Sequence, residues 1–178
     1  MNIPNSLTIL RILLIPVYVG LLVYEEYEQA LLVLLAAGVT DALDGTIARV
    51  MNQRTRLGTF LDPLADKLLL TSGFVTLSAI HLIPLWVTIV VVSRDLILLL
   101  GTAVAEFTET AVDITPTFLG KGTTFLQLAY VLLVIFLSSR RIDPSLIQPL
   151  LIGMVVFTLL SGFHYLYRGY RYSNAQSA

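Results

Sequence analysis

The 178-residue sequence contains no cysteine. Disulfide bonds, thiolate metal ligands and a cysteine nucleophile are therefore excluded, and cysteine usage gives no indication of the redox environment. Charge is also scarce, because Asp, Glu, Lys and Arg together make up 13% of the residues whereas hydrophobic residues make up 56%. A soluble domain needs more polar side chains than this to cover its surface. The composition therefore indicates an integral membrane protein.

An excess of positive charge is lacking as well. The formal net charge is -1, and the eleven Lys and Arg residues are scattered along the chain. Binding to a nucleic-acid backbone needs a concentrated basic face. We therefore expect no nucleic-acid partner, and the small basic clusters are better interpreted as signals of membrane topology.

The apolar residues are gathered in runs that are long enough to cross a bilayer, alone or with their flanks. We predict an all-α integral membrane protein with six transmembrane helices in a single domain over residues 1–178. Pro16 lies inside the first run and predicts a kink there, and the uncharged start of the chain is not expected to be a secretory signal. The six runs cover residues 7–24, 30–49, 62–81, 83–105, 121–138 and 149–167.

The distribution of basic residues predicts the orientation in the membrane. Arginines follow the second and the sixth run, and such clusters favour the cytoplasmic side. Glutamates follow the first run on the opposite side, where Arg140 and Arg141 are an exception. We therefore expect both termini in the cytoplasm and a polar cavity that faces it. The residues that indicate the cytoplasmic side are Arg49, Arg54, Arg56, Arg168 and Arg171. Those that indicate the opposite side are Glu25, Glu26 and Glu28.

Four aspartates, Asp41, Asp44, Asp62 and Asp66, lie at the end of the second run and the start of the third. Ionisable residues at such places are functional by default, because they are unfavourable in a bilayer without a partner. Residues three or four apart share one face of a helix, so two facing helices would bring the four carboxylates together. Clustered carboxylates repel one another unless cations neutralise them. Oxygen ligands of this kind suit Mg²⁺, Mn²⁺ or Ca²⁺ and make zinc an unsuitable ion.

Small residues and one arginine stand between the two pairs. Gly45, Ala48 and Gly58 allow either another helix or a flat ligand to approach the backbone closely. Arg49 is a bidentate donor for a phosphate or a carboxylate, and it also fits a role as a topology charge. Both alternatives remain open for these residues.

Together these residues read Asp41-x2-Asp44-Gly45-x2-Ala48-Arg49-x8-Gly58-x3-Asp62-x3-Asp66, which resembles the signature of the CDP-alcohol phosphatidyltransferase family at every fixed position. Residues 2–8 with Arg11 also resemble the amino-terminal segment of members that make phosphatidylglycerol phosphate or cardiolipin. The resemblance implies transfer of a phosphatidyl group from CDP-diacylglycerol to a glycerol-type alcohol, with release of CMP. It further implies two Mg²⁺ or Mn²⁺ ions, a homodimer surrounded by membrane lipids, and a location such as a bacterial inner membrane.

The resemblance also implies the roles of the motif residues. Asp66 is the expected general base that takes the proton of the acceptor hydroxyl, and it shares in metal binding. The expected metal ligands are Asp41, Asp44, Asp62 and Asp66, and the expected CDP-binding residues are Gly45, Ala48, Arg49 and Gly58.

Lys67, Arg94 and Lys121 interrupt apolar helices and are the expected acceptor-binding residues. A structural counter-ion is the alternative for Lys67, and an interhelical salt bridge is the alternative for Arg94. Arg94 and Asp95 are adjacent, so on a helix they point about 100° apart and need not pair with each other. Lys121 is predicted to open the fifth helix, where it can reach an anionic acceptor.

The surroundings of these residues help to choose the acceptor. Arg94-Asp95 and Thr123 depart from family members that use glycerol 3-phosphate and are similar to cardiolipin synthases of the mitochondrial type. Phosphatidylglycerol is therefore the predicted acceptor, and glycerol 3-phosphate is the alternative. We expect no catalytic role for His81 or His164.

Two other classes of protein also place carboxylates in a membrane. A cation-coupled transporter binds ions for passage, but the sequence shows no inverted repeat and its acidic residues lie near one predicted surface. An inactive membrane scaffold does not require the complete set of aspartates.

Overall fold

The chain is all-helical over the residues described by a computed structural model. The structure describes the backbone of residues 3–50, 56–107 and 118–176 and the side chains of residues 9–40, 65–101 and 119–167. No strand occurs in these ranges. The helices are α1 (Ile3–Val23), α2 (Tyr27–Val50), α3 (Arg56–Ala79), α4 (Leu85–Phe107), α5 (Phe118–Ser139) and α6 (Gln148–Gln176), with a short 3-10 helix at Pro144–Ile147 before α6.

Each of the six predicted runs corresponds to one of these helices. The prediction of six helices is thus confirmed for the part of the chain that is described, but the ends differ. α3 begins at Arg56, ahead of the apolar run, and α6 continues to Gln176, beyond the last apolar residues. The helices are longer there because polar residues continue a helix as readily as apolar ones and only the apolar part is visible as a run. α1 continues on both sides of Pro16.

Two helical segments within the described residues, Leu119–Ser139 and Pro144–Tyr167, are long and apolar enough to cross a membrane. The arrangement with six spans stays a prediction. The other helices also carry exposed apolar side chains, such as Leu13, Leu32 and Leu85, which have most of their surface uncovered. Exposed apolar surface on this scale marks contact with an apolar phase. These features indicate that the protein is associated with a membrane.

Three helices end in the same way, with a non-glycine residue in the left-handed conformation. Glu25, His81 and Arg141 follow α1, α3 and α5 with φ of 60°, 63° and 56°. At the end of α1, the backbone N–H of Glu26 donates to Leu21 O over 2.8 Å and that of Glu25 donates to Leu22 O over 3.1 Å. The same pair of bonds recurs after α3 and α5. This is the Schellman motif, which satisfies the last carbonyls of a helix and usually contains glycine.

The described chain forms two compact units, and the first comprises Met1–Ile83 and Val131–Ser145. Within it, α1 packs against both α2 and α3. Tyr18 and Leu22 of α1 and Phe74 and Leu77 of α3 are buried in its core. This packing places one face of α1 along α3.

The second unit comprises Pro84–Tyr130 and Leu146–Ala178, and in it α4 packs against α6. Its core contains the apolar residues Val87, Val91 and Met154. Buried polar residues lie among them and make hydrogen bonds between helices, as is common where apolar helices pack in membranes. The prediction of one domain over residues 1–178 stays a prediction.

Asp143 fixes the short link between α5 and α6. The backbone N–H of Ser145 donates to Asp143 Oδ1 over 2.8 Å, which is the geometry of an Asx turn and leads into the 3-10 helix. The donated hydrogen bonds hold the pKa of this exposed carboxyl below its usual value. Asp143 therefore has a local structural role far along the chain from the aspartate motif.

Candidate active site

Asp66, the predicted general base, forms an ion pair with Arg11 in the first unit. Arg11 Nη1 lies 2.5 Å from Asp66 Oδ1, which is a short charge-assisted hydrogen bond. The Arg11 side chain is 1% exposed, whereas the Asp66 side chain is 47% exposed. One partner is therefore enclosed by the protein, and the other remains open to ligands.

The helices explain how residues 55 positions apart meet. α1 packs against α3, and Asp66 lies in the middle of α3 while Arg11 lies in the first half of α1. A guanidinium within an apolar helix is costly unless a carboxylate or a carbonyl neutralises it. Arg11 is named in the sequence analysis as part of the amino-terminal segment, but it is given no role at the site there. Its signal was present as the single charge inside the run 7–24, but a sequence does not show which distant residue neutralises such a charge.

The other aspartates lie on the two predicted helices, but Asp62 and Asp66 do not open the third helix, because α3 begins at Arg56. Asp41 and Asp44 are three residues apart within α2, and Asp62 precedes Asp66 by four residues within α3. Their convergence stays a prediction. The side chains of Asp41, Asp44, Gly45, Ala48, Arg49, Gly58 and Asp62 lie outside the described residues.

Asp66 suits a divalent ion by its chemistry and its exposure. Its carboxylate offers hard oxygen donors of the type that Mg²⁺ and Mn²⁺ prefer, and nearly half of the side chain can be reached. The side chains that are described contain no group of three or more potential ligands, and three of the four predicted ligands are not among them. The four aspartates of the motif are therefore suitable ligands for Mg²⁺ or Mn²⁺, and Asp66 is the one whose side chain is described.

Arg94, predicted to bind the acceptor, lies in the second unit and is buried. Its Nη1 donates to Asp95 Oδ1 over 2.7 Å, and its Nη2 donates to Ser161 Oγ of α6 over 2.9 Å. The adjacent residues thus pair although the helix separates their directions, because the long arginine side chain bends back to its neighbour. Arg94 Nε is buried and has no hydrogen-bond partner among the described residues. The Nε–H donor thus takes no part in the two bonds that the guanidinium makes.

A line of polar residues joins α5 to α6 in the same unit. Thr123 Oγ1 donates to Leu119 O of its own helix over 2.8 Å and lies 3.3 Å from Phe157 O of α6. Gln127 Nε2 donates to Thr158 Oγ1 over 3.3 Å. Thr123, Gln127 and Thr158 are fully or almost fully buried. Thr158 Oγ1 in turn donates to Met154 O over 2.8 Å. These bonds satisfy the two threonine hydroxyls and the Gln127 amide nitrogen inside apolar surroundings, whereas Gln127 Oε1 has no hydrogen-bond partner among the described residues.

The remaining predicted residues are placed as follows. Lys121 lies exposed in the first turn of α5, so the prediction that it opens the fifth helix is confirmed. Lys67 follows Asp66 in α3 and is partly buried. His81 and His164 are exposed. Asp66 and Lys67 thus belong to the first unit, and Arg94 and Lys121 belong to the second.

Comparison with known proteins yields a matching family and several relatives. The family described as CDP-alcohol phosphatidyltransferase matches residues 1–161. The chain is 38% identical over 146 residues to "Cardiolipin synthase (CMP-forming)" of Homo sapiens. The aligned region covers 73% of this chain and 48% of that protein. It is 37% identical over 145 residues to the protein of the same name from Streptomyces coelicolor, covering 76% of this chain and 66% of that protein.

A relative from Mycobacterium tuberculosis covers more of the chain. "Probable phosphatidylglycerophosphate synthase" is 30% identical over 177 residues, which is 96% of this chain and 82% of that protein. The chain spans about half the length of the human relative.

Proposed function

The chain belongs to the CDP-alcohol phosphatidyltransferase family, and from this premise we propose that it transfers a phosphatidyl group from CDP-diacylglycerol to a glycerol-type alcohol and releases CMP. The observation that carries the proposal is Asp66. Its carboxylate is the last aspartate of the family motif, is anchored by a buried arginine and remains half exposed. That is the arrangement expected of a positioned group that works on a substrate.

The reaction is a single displacement at phosphorus. Asp66 accepts the proton of the acceptor hydroxyl, the hydroxyl oxygen forms a bond to the phosphorus of the phosphatidyl group, and the bond from that phosphorus to the oxygen of CMP breaks. CMP leaves with the electron pair. A general base acts within about 2.6 to 3.2 Å of the proton's oxygen, so Asp66 must be held where the acceptor hydroxyl binds.

Asp66 and the three other aspartates of the motif are proposed to hold two Mg²⁺ or Mn²⁺ ions, because the family generally depends on a divalent metal. The three others are Asp41, Asp44 and Asp62. Such ions supply neutralising charge for the pyrophosphate and for the leaving CMP. Gly45, Ala48 and Gly58 allow the nucleotide to approach the backbone, and Arg49 binds its phosphates.

The acceptor that we propose is phosphatidylglycerol. The relatives with the higher identity are named as cardiolipin synthases. Arg94, Lys121 and Lys67 are the proposed acceptor-binding residues, and the buried bonds of Arg94 to Asp95 and Ser161 hold its guanidinium in place. Glycerol 3-phosphate is the second candidate, because the relative named as a phosphatidylglycerophosphate synthase covers 96% of the chain.

We further propose that all six helices span the membrane, that the aspartate site faces the cytoplasm in a bacterial inner membrane, and that the protein is a homodimer. The exposed apolar side chains of α1, α2 and α4 support spans beyond the two segments, Leu119–Ser139 and Pro144–Tyr167, that are long and apolar enough to cross a membrane.

The test is a reaction of the purified protein in detergent with CDP-diacylglycerol and Mg²⁺ or Mn²⁺. Phosphatidylglycerol and glycerol 3-phosphate are supplied in separate reactions, CMP is quantified, and the lipid products are separated by chromatography. The proposal expects CMP in equal amount to the new lipid, with cardiolipin as the main product. Failure to form CMP with either acceptor contradicts the transferase, and a cation-coupled transporter would give that result.

A further inference from the structure

We infer that Arg11 is a positioning residue, whose buried guanidinium holds the Asp66 carboxylate in the orientation that the site requires. This rests on the proposed function, in which Asp66 takes a proton and binds metal. Arg11 stands outside the motif that runs from Asp41 to Asp66, so the motif gives it no role.

The geometry separates the two partners by their surroundings. Arg11 is enclosed in the packed first unit, and its Nη1 reaches Asp66 Oδ1 at 2.5 Å. Arginine presents donors in a rigid planar fork, so its position fixes the direction of the bond it makes. The half-exposed carboxylate is thus hydrogen-bonded to a guanidinium that the surrounding protein holds in place. Arg11 therefore holds Asp66 from inside the packed unit, while 47% of the Asp66 side chain is exposed.

Such an anchor matters because the carboxylate of an aspartate rotates easily about its last bond. The terminal torsion of aspartate is broad and has no single preferred value. A half-exposed carboxylate without an anchor would sample several orientations, and a misplacement of about 1 Å can lower a rate by about 100-fold. One strong bond to a rigid donor removes most of this freedom before any ligand arrives.

A purely structural role for Arg11 is the competing explanation, and the two differ in what they affect. A structural counter-ion would change stability without changing kcat or metal affinity in the folded protein. A positioning residue changes both, and does so only while Asp66 is present to be positioned. The two explanations are therefore distinguished by whether the effect of the Arg11 substitution on metal affinity disappears when Asp66 is also replaced.

The experiment uses the full chain in detergent with Arg11→Gln, Asp66→Asn and the double variant. Arg141→Gln is the control, because it removes an exposed arginine of the same unit. The kcat and the KM for CDP-diacylglycerol are measured for Arg11→Gln and Arg141→Gln, and Mn²⁺ affinity is measured by electron paramagnetic resonance for every variant. Groups that orient a metal ligand typically contribute about 10- to 100-fold in affinity or activity.

We expect Arg11→Gln to lower kcat by about 10- to 100-fold with little change in KM, and to weaken Mn²⁺ binding by about tenfold. In the Asp66→Asn background the same substitution should leave Mn²⁺ affinity nearly unchanged. Arg141→Gln should match the wild type. Wild-type kcat and Mn²⁺ affinity in folded Arg11→Gln would overturn the inference, and so would an equal loss of Mn²⁺ affinity in both backgrounds.

If Arg11→Gln does not fold, Arg11→Lys replaces it, because lysine keeps the charge and lacks the planar fork. A reduced kcat with an unchanged melting temperature then supports the inference, and a wild-type kcat overturns it. If the wild type forms no CMP, the proposed function fails by itself. The Mn²⁺ measurements still decide whether Arg11 acts through Asp66.

Discussion

Arg94 of α4 donates a hydrogen bond to Ser161 of α6, with 2.9 Å between Nη2 and Oγ. Both side chains are buried, and the bond joins the two helices that pack together in the second unit. Gly162, next to Ser161, lies against the arginine, and a Cβ at position 162 would make an ordinary van der Waals contact of 3.7 Å with Arg94 Cγ. The serine hydroxyl therefore fixes the end of a long cationic side chain that lies against α6.

Ser161→Ala tests this contact. The substitution leaves one buried donor of Arg94 without its acceptor, and the loss of a hydrogen bond to a charged group costs about 1.5 to 3 kcal/mol. We expect a lower melting temperature in detergent. Ser139→Ala is the control, because the Ser139 hydroxyl donates to the carbonyl of Phe136 in its own helix, at an exposed position. Equal melting temperatures for the two variants would contradict the importance of the Arg94 contact.

Gly73→Ala tests the packing of α3 against α1. A Cβ at position 73 would lie 2.8 Å from the hydroxyl oxygen of Tyr18, which is fully buried, so one of the two must move. Overpacking of this kind costs about 1 to 3 kcal/mol. We expect the apparent free energy of unfolding to fall by an amount in this range. A Cβ at position 20 of α1 would have no atom of the described residues outside its own helix backbone within 4 Å. Gly20→Ala should therefore stabilise the helix by up to about 1 kcal/mol.

Tyr18→Phe should rescue Gly73→Ala. The closest atom is the tyrosine hydroxyl, which is buried and makes no hydrogen bond to any described residue. Its removal therefore relieves the clash and leaves no described group without a partner. The double variant should be more stable than Gly73→Ala alone in the same unfolding measurement. An additive loss would show that the clash lies elsewhere.

Glu25→Gly tests the helix ends. Glu25 has φ of 60°, a conformation that costs an ordinary residue roughly 1 to 2 kcal/mol and that glycine adopts freely. We expect a higher melting temperature for Glu25→Gly. Glu28→Gly is the matched control, since Glu28 lies in the first turn of α2 and should lose stability through its lower helix propensity. A loss of stability in both variants would contradict the cost assigned to the left-handed conformation.

The sequence was sufficient for the helices and for the motif, and the reasons are physical. A run of apolar residues is a local property, so the six runs marked six helices, with errors at polar ends such as residues 168–176 of α6. The partners of charged residues are not local. Arg11 and Asp66 are 55 positions apart, and the spacing of the motif contains no information about α1.

The adjacent pair Arg94 and Asp95 shows a second limit. Helical geometry separates the directions of neighbouring residues, but the flexible arginine side chain closes the gap to 2.7 Å. The left-handed helix ends were also not predictable, because Glu25, His81 and Arg141 take a place where glycine is the usual signal.

Asp66→Asn tests whether Asp66 acts as the general base, without removing its contribution to the fold. Asparagine keeps the size of the side chain and an oxygen that can still accept from Arg11, but it cannot take the proton of the acceptor. We expect kcat to fall by about 10² to 10⁴-fold, while the protein stays folded and still binds the CDP-lipid. Turnover at the wild-type rate would refute the assignment of Asp66 as the base.

The most direct measurement of the central claim is CMP formation from CDP-diacylglycerol by the wild type and Asp62→Asn, with Asp143→Asn as the exposed control outside the motif. Each is assayed with Mn²⁺, with excess chelator, and after Mn²⁺ is restored. The account predicts CMP from the wild type and Asp143→Asn only when the ion is present, and a loss of about 10- to 100-fold or more in Asp62→Asn. CMP formation that persists in chelator, or that Asp62→Asn retains in full, would contradict it.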